Sequence, residues 1–271
     1  MMMTYTLHTH ARMRRLTLLA CIFAALALSV TGRAQPLLTN GDFETGSFAG
    51  WTLVNQGNPD DPGSSGHIYI STPGAGTPLI DGIRFDTAAN SGGGRFYAVS
   101  ASNFPGAHAM LQDFTVPLGT DALNLAFQMF VNDQAGFGAI VDPSGLDYTT
   151  GGAFFDNQHA RVDILRGGAS DLSTASGDIV SNLYLGVDSL APPNPYTDYQ
   201  FDLTGLLAPG QTYRLRFAEV DNLSALNMGV DNVRITATAA PTPEPGSLAL
   251  CVGLSLCGTA LAIQRQRSLS L

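Results

Sequence analysis

Between residues 35 and 240 the chain alternates apolar and polar side chains with a period of two. The runs 95–100, 109–116, 123–131, 160–165, 199–203, 213–220 and 229–236 all do so. In the third run Leu123, Leu125, Phe127, Met129 and Val131 share one face. In the sixth, Tyr213, Leu215 and Phe217 face one way while Arg214, Arg216 and Ala218 face the other. Successive side chains of a strand point to opposite faces, so this pattern marks strands with one buried side. A helix would repeat every 3.6 residues, and hardly any stretch of the body does. Gly- and Pro-rich breaks separate the runs, which suits antiparallel neighbours and leaves no room for the helical crossovers of a parallel sheet. The fold expected is all-β, an antiparallel two-sheet sandwich.

That body must hold together without covalent staples. Cys21, Cys251 and Cys257 all lie outside residues 35–240, and about two hundred residues are enough to bury a core unaided. The absence of cysteine from the body also excludes a zinc or thiol site of the cysteine type. The whole chain lacks lysine: its 13 basic residues are all arginine. Within the body 7 Arg stand against 21 Asp plus Glu, a balance of −14. Nucleic acid is therefore excluded as a partner, because phosphate binding needs a basic footprint. Short aspartates among Gly and Asn suit turns and hard cations.

Both ends read as addresses. Arg12, Arg14 and Arg15 precede an apolar stretch at 16–30 and then Thr31-Gly32-Arg33-Ala34. This is a secretory n-region, h-region and small-residue cleavage site, giving a signal peptide over 1–34 with a signal helix in it. At the other end Pro243-Glu244-Pro245 stands before an apolar run at 247–263, long enough for one helix across a thin bilayer, which takes roughly 17–25 residues. Arg265 and Arg267 follow as a membrane stop on the cytoplasmic side. Residues 241–271 thus form a motif, a single hydrophobic helix and a basic stub, joined to the 35–240 sandwich by a short Thr/Ala/Pro linker. An ordinary anchor that is never processed fits the same residues.

This C-terminus resembles the PEP-CTERM sorting signal of Gram-negative bacteria, with Pro243-Glu244-Pro245 where that family has its name-giving tripeptide. The resemblance implies a partner, an exosortase-type membrane protease, which cuts the tag. It also implies export, transient anchoring in the envelope, and release to the outer surface or the exopolysaccharide matrix of the biofilm. The body resembles the galactose-binding-like jelly roll of many carbohydrate-binding modules. It opens with "NGDFE" at 40–44 followed by Gly50-Trp51, and closes with "VDNVRI" at 230–235. In that fold the first and last strands lie side by side, and Trp51 is expected in the core.

Candidate sites follow from these patterns. The galactose-binding-like resemblance implies a structural calcium ion where the first and last strands meet, carried here onto Asp42, Glu44 and Asp231. Carboxylate and carbonyl oxygens suit that hard cation. On the residues alone Asp42 and Asp231 serve equally as turn caps or partners of Arg234. A second acid-rich rim gathers 132–134, 156–157 and 221–222 at strand ends. Sugar binding needs an aromatic platform beside polar groups that read hydroxyls. Asp133, Tyr148, Phe154, Phe155 and Asn157 are the candidates, with Phe137 beside them, all in the long Gly-rich loop 133–157. No catalytic motif is present: His67, His108 and His159 stand alone in the body, without HExxH or a nucleophile elbow.

The function expected is that of an exported, non-enzymatic surface or matrix protein that binds extracellular polysaccharide. The alternatives are a structural matrix protein without a ligand and, third, a glycan-active hydrolase using two carboxylates.

Overall fold

The structure is a computed structural model that describes residues 34–57, 66–72, 87, 94–102, 105–134, 136–142, 145–149 and 156–240. The signal segment before residue 34, Phe154, Phe155, the motif Pro243-Glu244-Pro245 and the stop Arg265 and Arg267 lie outside the described residues. Among the described residues no helix is long and apolar enough to cross a membrane.

The alternating runs fold as strands. In chain order these are β1 (Ala34–Pro36), β2 (Thr52–Gly57), β3 (His67–Ser71), β4 (Tyr97–Ala101), β5 (Gly106–Thr115), β6 (Thr120–Asp133), β7 (Gln158–Arg166), β8 (Ile179–Gly186), β9 (Thr197–Asp202), β10 (Thr212–Asp221) and β11 (Leu226–Ala239). They form two antiparallel sheets. Sheet A runs β3-β4-β11-β6-β9 with β1 also on β11, and sheet B runs β2-β5-β10-β7-β8. Every alternating run of the sequence became a strand. The four not expected, β1, β2, β3 and β8, are short or lie at sheet edges.

The period-two faces pack against each other. Leu123, Leu125, Phe127, Met129 and Val131 of β6 meet Tyr213, Leu215 and Phe217 of β10 in one core. Phe217 stands edge-on to Phe127 at 5.0 Å and 89° and reaches Trp51 at 6.3 Å. Trp51 is 8% exposed, and its indole N–H donates to Asn40 O at 3.0 Å.

The outer face of sheet B is covered too. Ala107, Ala109, Leu111, Ala218 and Val220 pack there against Leu146, Leu165 and Ala169. Arg216, on the polar face of β10, is therefore fully buried instead of solvated. Its guanidinium meets Asp163 at 2.6 Å, Arg161 meets the same carboxylate at 2.7 Å, and Asn182 donates to it at 2.8 Å. Arg216 also donates to Asp171 O and Ser173 O, both at 2.9 Å, fastening the 167–178 segment over the sheet. Burial pushes the Asp163 carboxyl up, but the two guanidiniums outweigh it and hold it below the usual carboxylate value.

The first strand lies beside the last, as the galactose-binding-like resemblance implies. Ala34, Gln35 and Pro36 oppose Thr238, Ala237 and Thr236. Further along, Leu37 N–H donates to Ile235 O at 2.9 Å and Val233 N–H to Gly41 O at 2.8 Å. Gly41 is obligatory there, since a Cβ would stand 1.9 Å from Val233 O. Gly41→Ala should therefore cost about 1–3 kcal/mol or more of stability, read as a lower midpoint in urea at unchanged slope.

Candidate functional site

The opening motif is a set of ties around that junction. Asn40 donates from its amide to Ser47 O at 2.8 Å and Ala49 O at 3.2 Å, and accepts from Thr45 Oγ1 at 2.9 Å. Phe43 is fully buried against Phe48 and Trp51. Asn40, Phe43 and Asn232 have φ of 50°, 54° and 52°, and they are the non-glycine residues with positive φ among those described. Asn tolerates this left-handed region, whereas a bulky Phe there is a real outlier. All three sit where the opening segment meets β11.

Two adjoining pockets that share Asn232 and Arg234 form a trough across the outer face of sheet A at the same place. One half lies over β11, β6 and β9, lined by Ala126, Gln128, Asp198, Tyr199, Gln200, Asn232 and Arg234 with a volume of about 230 Å³. The other lies between the opening segment and β11, with about 300 Å³, and is the more apolar half, lined by Pro36, Leu38, Val233 and Ile235 as well as Asn40, Gly41, Asp42, Asn232 and Arg234. Ala126 and Gln128 alternate with core residues Leu125 and Phe127, so the strand period itself places them outward. Asn232 follows from an interruption of that period: Val230 and Val233, three apart, both enter the core, and Asn232 is the added residue between them.

The lining is held in place by its own hydrogen bonds. Asn232 donates to Gln128 Oε1 at 2.8 Å and to Asp231 Oδ2 at 3.3 Å, and Gln128 Nε2 donates to Asp198 Oδ1 at 2.9 Å. Such a chain fixes the amides before a ligand arrives. Arg234 stays exposed and forms no ion pair with a described residue. The other described arginines are engaged: Arg95 over the Phe96 ring, Arg166 on Gly177 O, Arg214 on Asp113 and Asp171, and the two on Asp163. The trough thus offers a guanidinium fork, ordered amides and carboxylate acceptors, a donor and acceptor set for hydroxyl groups.

Asp42, Glu44 and Asp231, the residues expected to hold calcium, are spread over separate tasks. Asp42 accepts from Glu44 N–H at 3.3 Å. Glu44 Oε1 accepts from Arg95 N–H at 2.7 Å and Phe96 N–H at 3.1 Å, tying the opening loop to the approach of β4. Asp231 accepts from Asn232 N–H at 2.7 Å. Among the described residues no three His, Cys, Asp or Glu side chains gather into a ligand group.

The three acid-rich clusters expected to share a rim do come together, and they bind each other. Asn157 N–H donates to Asn222 Oδ1 at 2.7 Å, and Asn222 N–H returns a bond to Asn157 O at 3.1 Å. The Asn157 amide donates to Gly145 O at 2.8 Å and Asp147 O at 2.9 Å. Asp133 accepts from Gly136 N–H at 3.0 Å and Gly138 N–H at 2.6 Å. Tyr148 packs on the outer face of sheet B, its hydroxyl donating to Gly57 O at 3.0 Å. Asp133 and Asn157 thus bond the loop's own backbone and Tyr148 ties the loop to the end of β2, while Phe137, 60% exposed, is held out between the two glycines that Asp133 binds.

Two buried acids lie beneath that rim. Glu219 and Asp221 follow Phe217 on the inner face of β10 and point between the sheets, towards Ser100 and Ser102. Glu219 lies opposite His108 in register. Both its carboxyl oxygens are buried without an aligned hydrogen-bond partner. Ser100 is close, but its hydroxyl accepts from Met228 N–H at 2.8 Å and reaches back to Met228 O at 3.4 Å. Burial pushes the Glu219 carboxyl up to about 8. Burial also raises Asp221 to about 7, opposed by the Ser224 and Leu223 amides and aided by Asp133. A sequence scan reads Glu219 as one more strand residue, because its spacing from Phe217 is that of any inward position.

Comparisons with known proteins bear on shape. No family model matches the chain, and no curated protein matches its sequence. Among solved structures it is similar to the enzymatically active domain of tailspike protein 4 of bacteriophage CBA120 (12% identity, TM-score 0.42, 74% of this chain and 21% of that one). It is also similar to TmCBM61 in complex with β-1,4-galactotriose (9%, 0.41, 74% and 97%). A third is the K3 cleaved adhesin domain of Lys-gingipain from Porphyromonas gingivalis (16%, 0.41, 75% and 99%). The chain spans about a fifth of the tailspike structure.

The buried acids set a pH dependence. Glu219 keeps its proton in the folded state up to about 8, whereas in the unfolded chain it ionises near 4.5. Stability is thus fully present below 4.5 and lost as pH rises through that window towards 8. Glu219→Gln, which cannot ionise, should melt at a higher temperature than the wild type at pH 8 and at the same temperature at pH 4, measured by calorimetry.

Proposed function

We propose that this is an exported, non-enzymatic polysaccharide-binding protein of the cell surface or extracellular matrix, built on a jelly-roll body. One observation carries the binding half: the trough across β11, where Arg234, exposed and in no ion pair with a described residue, stands among ordered amides and carboxylates. A sugar hydroxyl both donates and accepts, so it matches a lining that alternates guanidinium, amide and carboxylate. Because Gln128 and Asn232 are already held, little side-chain freedom is lost on binding. Left-handed residues at the junction support the reading, since strained backbone persists where the surroundings over-determine it and often marks binding sites.

The export half rests on the sequence: a signal segment ahead of residue 34 and a PEP-CTERM-like tail, with an exosortase-type protease as its partner.

Two measurements test the halves separately. Arg234→Ala should lose at least about ten-fold in affinity for a retained polysaccharide in affinity gels, about 1.4 kcal/mol, with an unchanged melting temperature; undiminished retention would remove the trough from the reading. Intact mass of the secreted protein should show a form ending near Pro245 in an exosortase-positive host. Full-length, membrane-held protein in both that host and its exosortase deletion would reduce the tail to an anchor.

A further inference from the structure

We infer that the trough is one site of two subsites that takes an uncharged polysaccharide lying across β11, at least two sugar rings long. This rests on the polysaccharide reading and narrows it. The two halves share Asn232 and Arg234, so a ligand in either half meets the same guanidinium. At about 230 and 300 Å³, neither half alone exceeds the ~300 Å³ at which ordinary ligand pockets begin. Together they pass it. One ring leaves half of the ordered lining unused, while two linked rings place their junction over Arg234, whose several N–H groups reach oxygens on both sides.

Charge decides the class of sugar. Asp198 lines one half and Asp42 the other, so the trough carries two carboxylates to one guanidinium. A uronate bound to Arg234 would bring a third carboxylate into that space, within a body whose balance is already 7 Arg to 21 acids. Like charges within roughly 8 Å repel at physiological salt. An amino sugar would satisfy the carboxylates and meet Arg234 as a like charge instead. An uncharged sugar meets neither difficulty, because each hydroxyl can give its proton to Asp42 or Asp198 and accept from Arg234 or an amide.

Native gels test this with the full chain run through neutral polymers (galactan, xyloglucan, dextran) and anionic ones (alginate, polygalacturonate). Retardation by at least one neutral polymer and by neither anionic polymer is expected. A trisaccharide from the retarding polymer should compete at least about ten-fold better than its monosaccharide. In the Asp42→Asn, Asp198→Asn double variant, checked for an unchanged melting temperature, an anionic polymer should gain retention. Retardation by anionic polymers alone would overturn the charge class and leave polysaccharide binding standing. Equal competition by the monosaccharide would overturn the two subsites. No retardation by any of the polymers would remove the inference and the binding reading together.

Discussion

The sandwich depends on two strands adjacent in sequence lying at the centres of opposite sheets. β10 sits in the middle of sheet B, β11 in the middle of sheet A, and a short turn joins them. The apolar faces they organise meet through Phe217, which touches Phe127 across the gap and Trp51 beside it. Everything else is placed by this pair. The outer face of β10 carries the buried Arg216 that fastens the 167–178 segment, its inner end carries Glu219 and Asp221, and the outer face of β11 carries Arg234. Burial of the two inner faces is the dominant favourable term, and it fixes register because a one-residue slip would send Phe217 outward and Arg216 into the apolar core.

The fold was legible because period two is a local signal and both faces of each central strand announce themselves. The faces of β6 and β10 were assigned correctly residue by residue. What the alternation could not say is whether a polar face meets water. Arg216 reads as solvated, and it is buried because the 167–178 segment, more than thirty residues upstream, folds over it and supplies Asp171 O and Ser173 O, while Asp163 faces it from the neighbouring β7. Edge strands such as β2 and β8 were missed because an edge has weaker burial to impress on its sequence.

The site was legible only at its ends. "NGDFE" and "VDNVRI" marked the right junction, since Gly41, Phe43 and Asn232 are there for steric and conformational reasons that leave a trace in residue type. The acids of those motifs, Asp42, Glu44 and Asp231, accept hydrogen bonds there as caps and ties. Gln128, Asp198 and Gln200 were invisible because they lie on two strands brought beside β11 only by the sheet order, and an outward Gln or Asp is what any solvated strand shows. Expecting the ligand at the 133–157 loop followed loop length and aromatic content. Asp133 and Asn157 bond the turns of that loop, the ordinary role of Asp and Asn at strand ends.

The antiparallel pairing of β1 with β11 has a mechanical consequence. Ala34 opposes Thr238, so the chain enters and leaves the sandwich at adjacent points, and the two paired strands run back from there side by side. A force that draws these two points apart loads the hydrogen bonds between β1 and β11 singly and in succession, as in opening a zipper. A force applied at Thr238 alone must instead drag β11 lengthwise out of the middle of sheet A, straining many bonds at once. The same body is weak when stretched between its ends and strong when held by the last strand only.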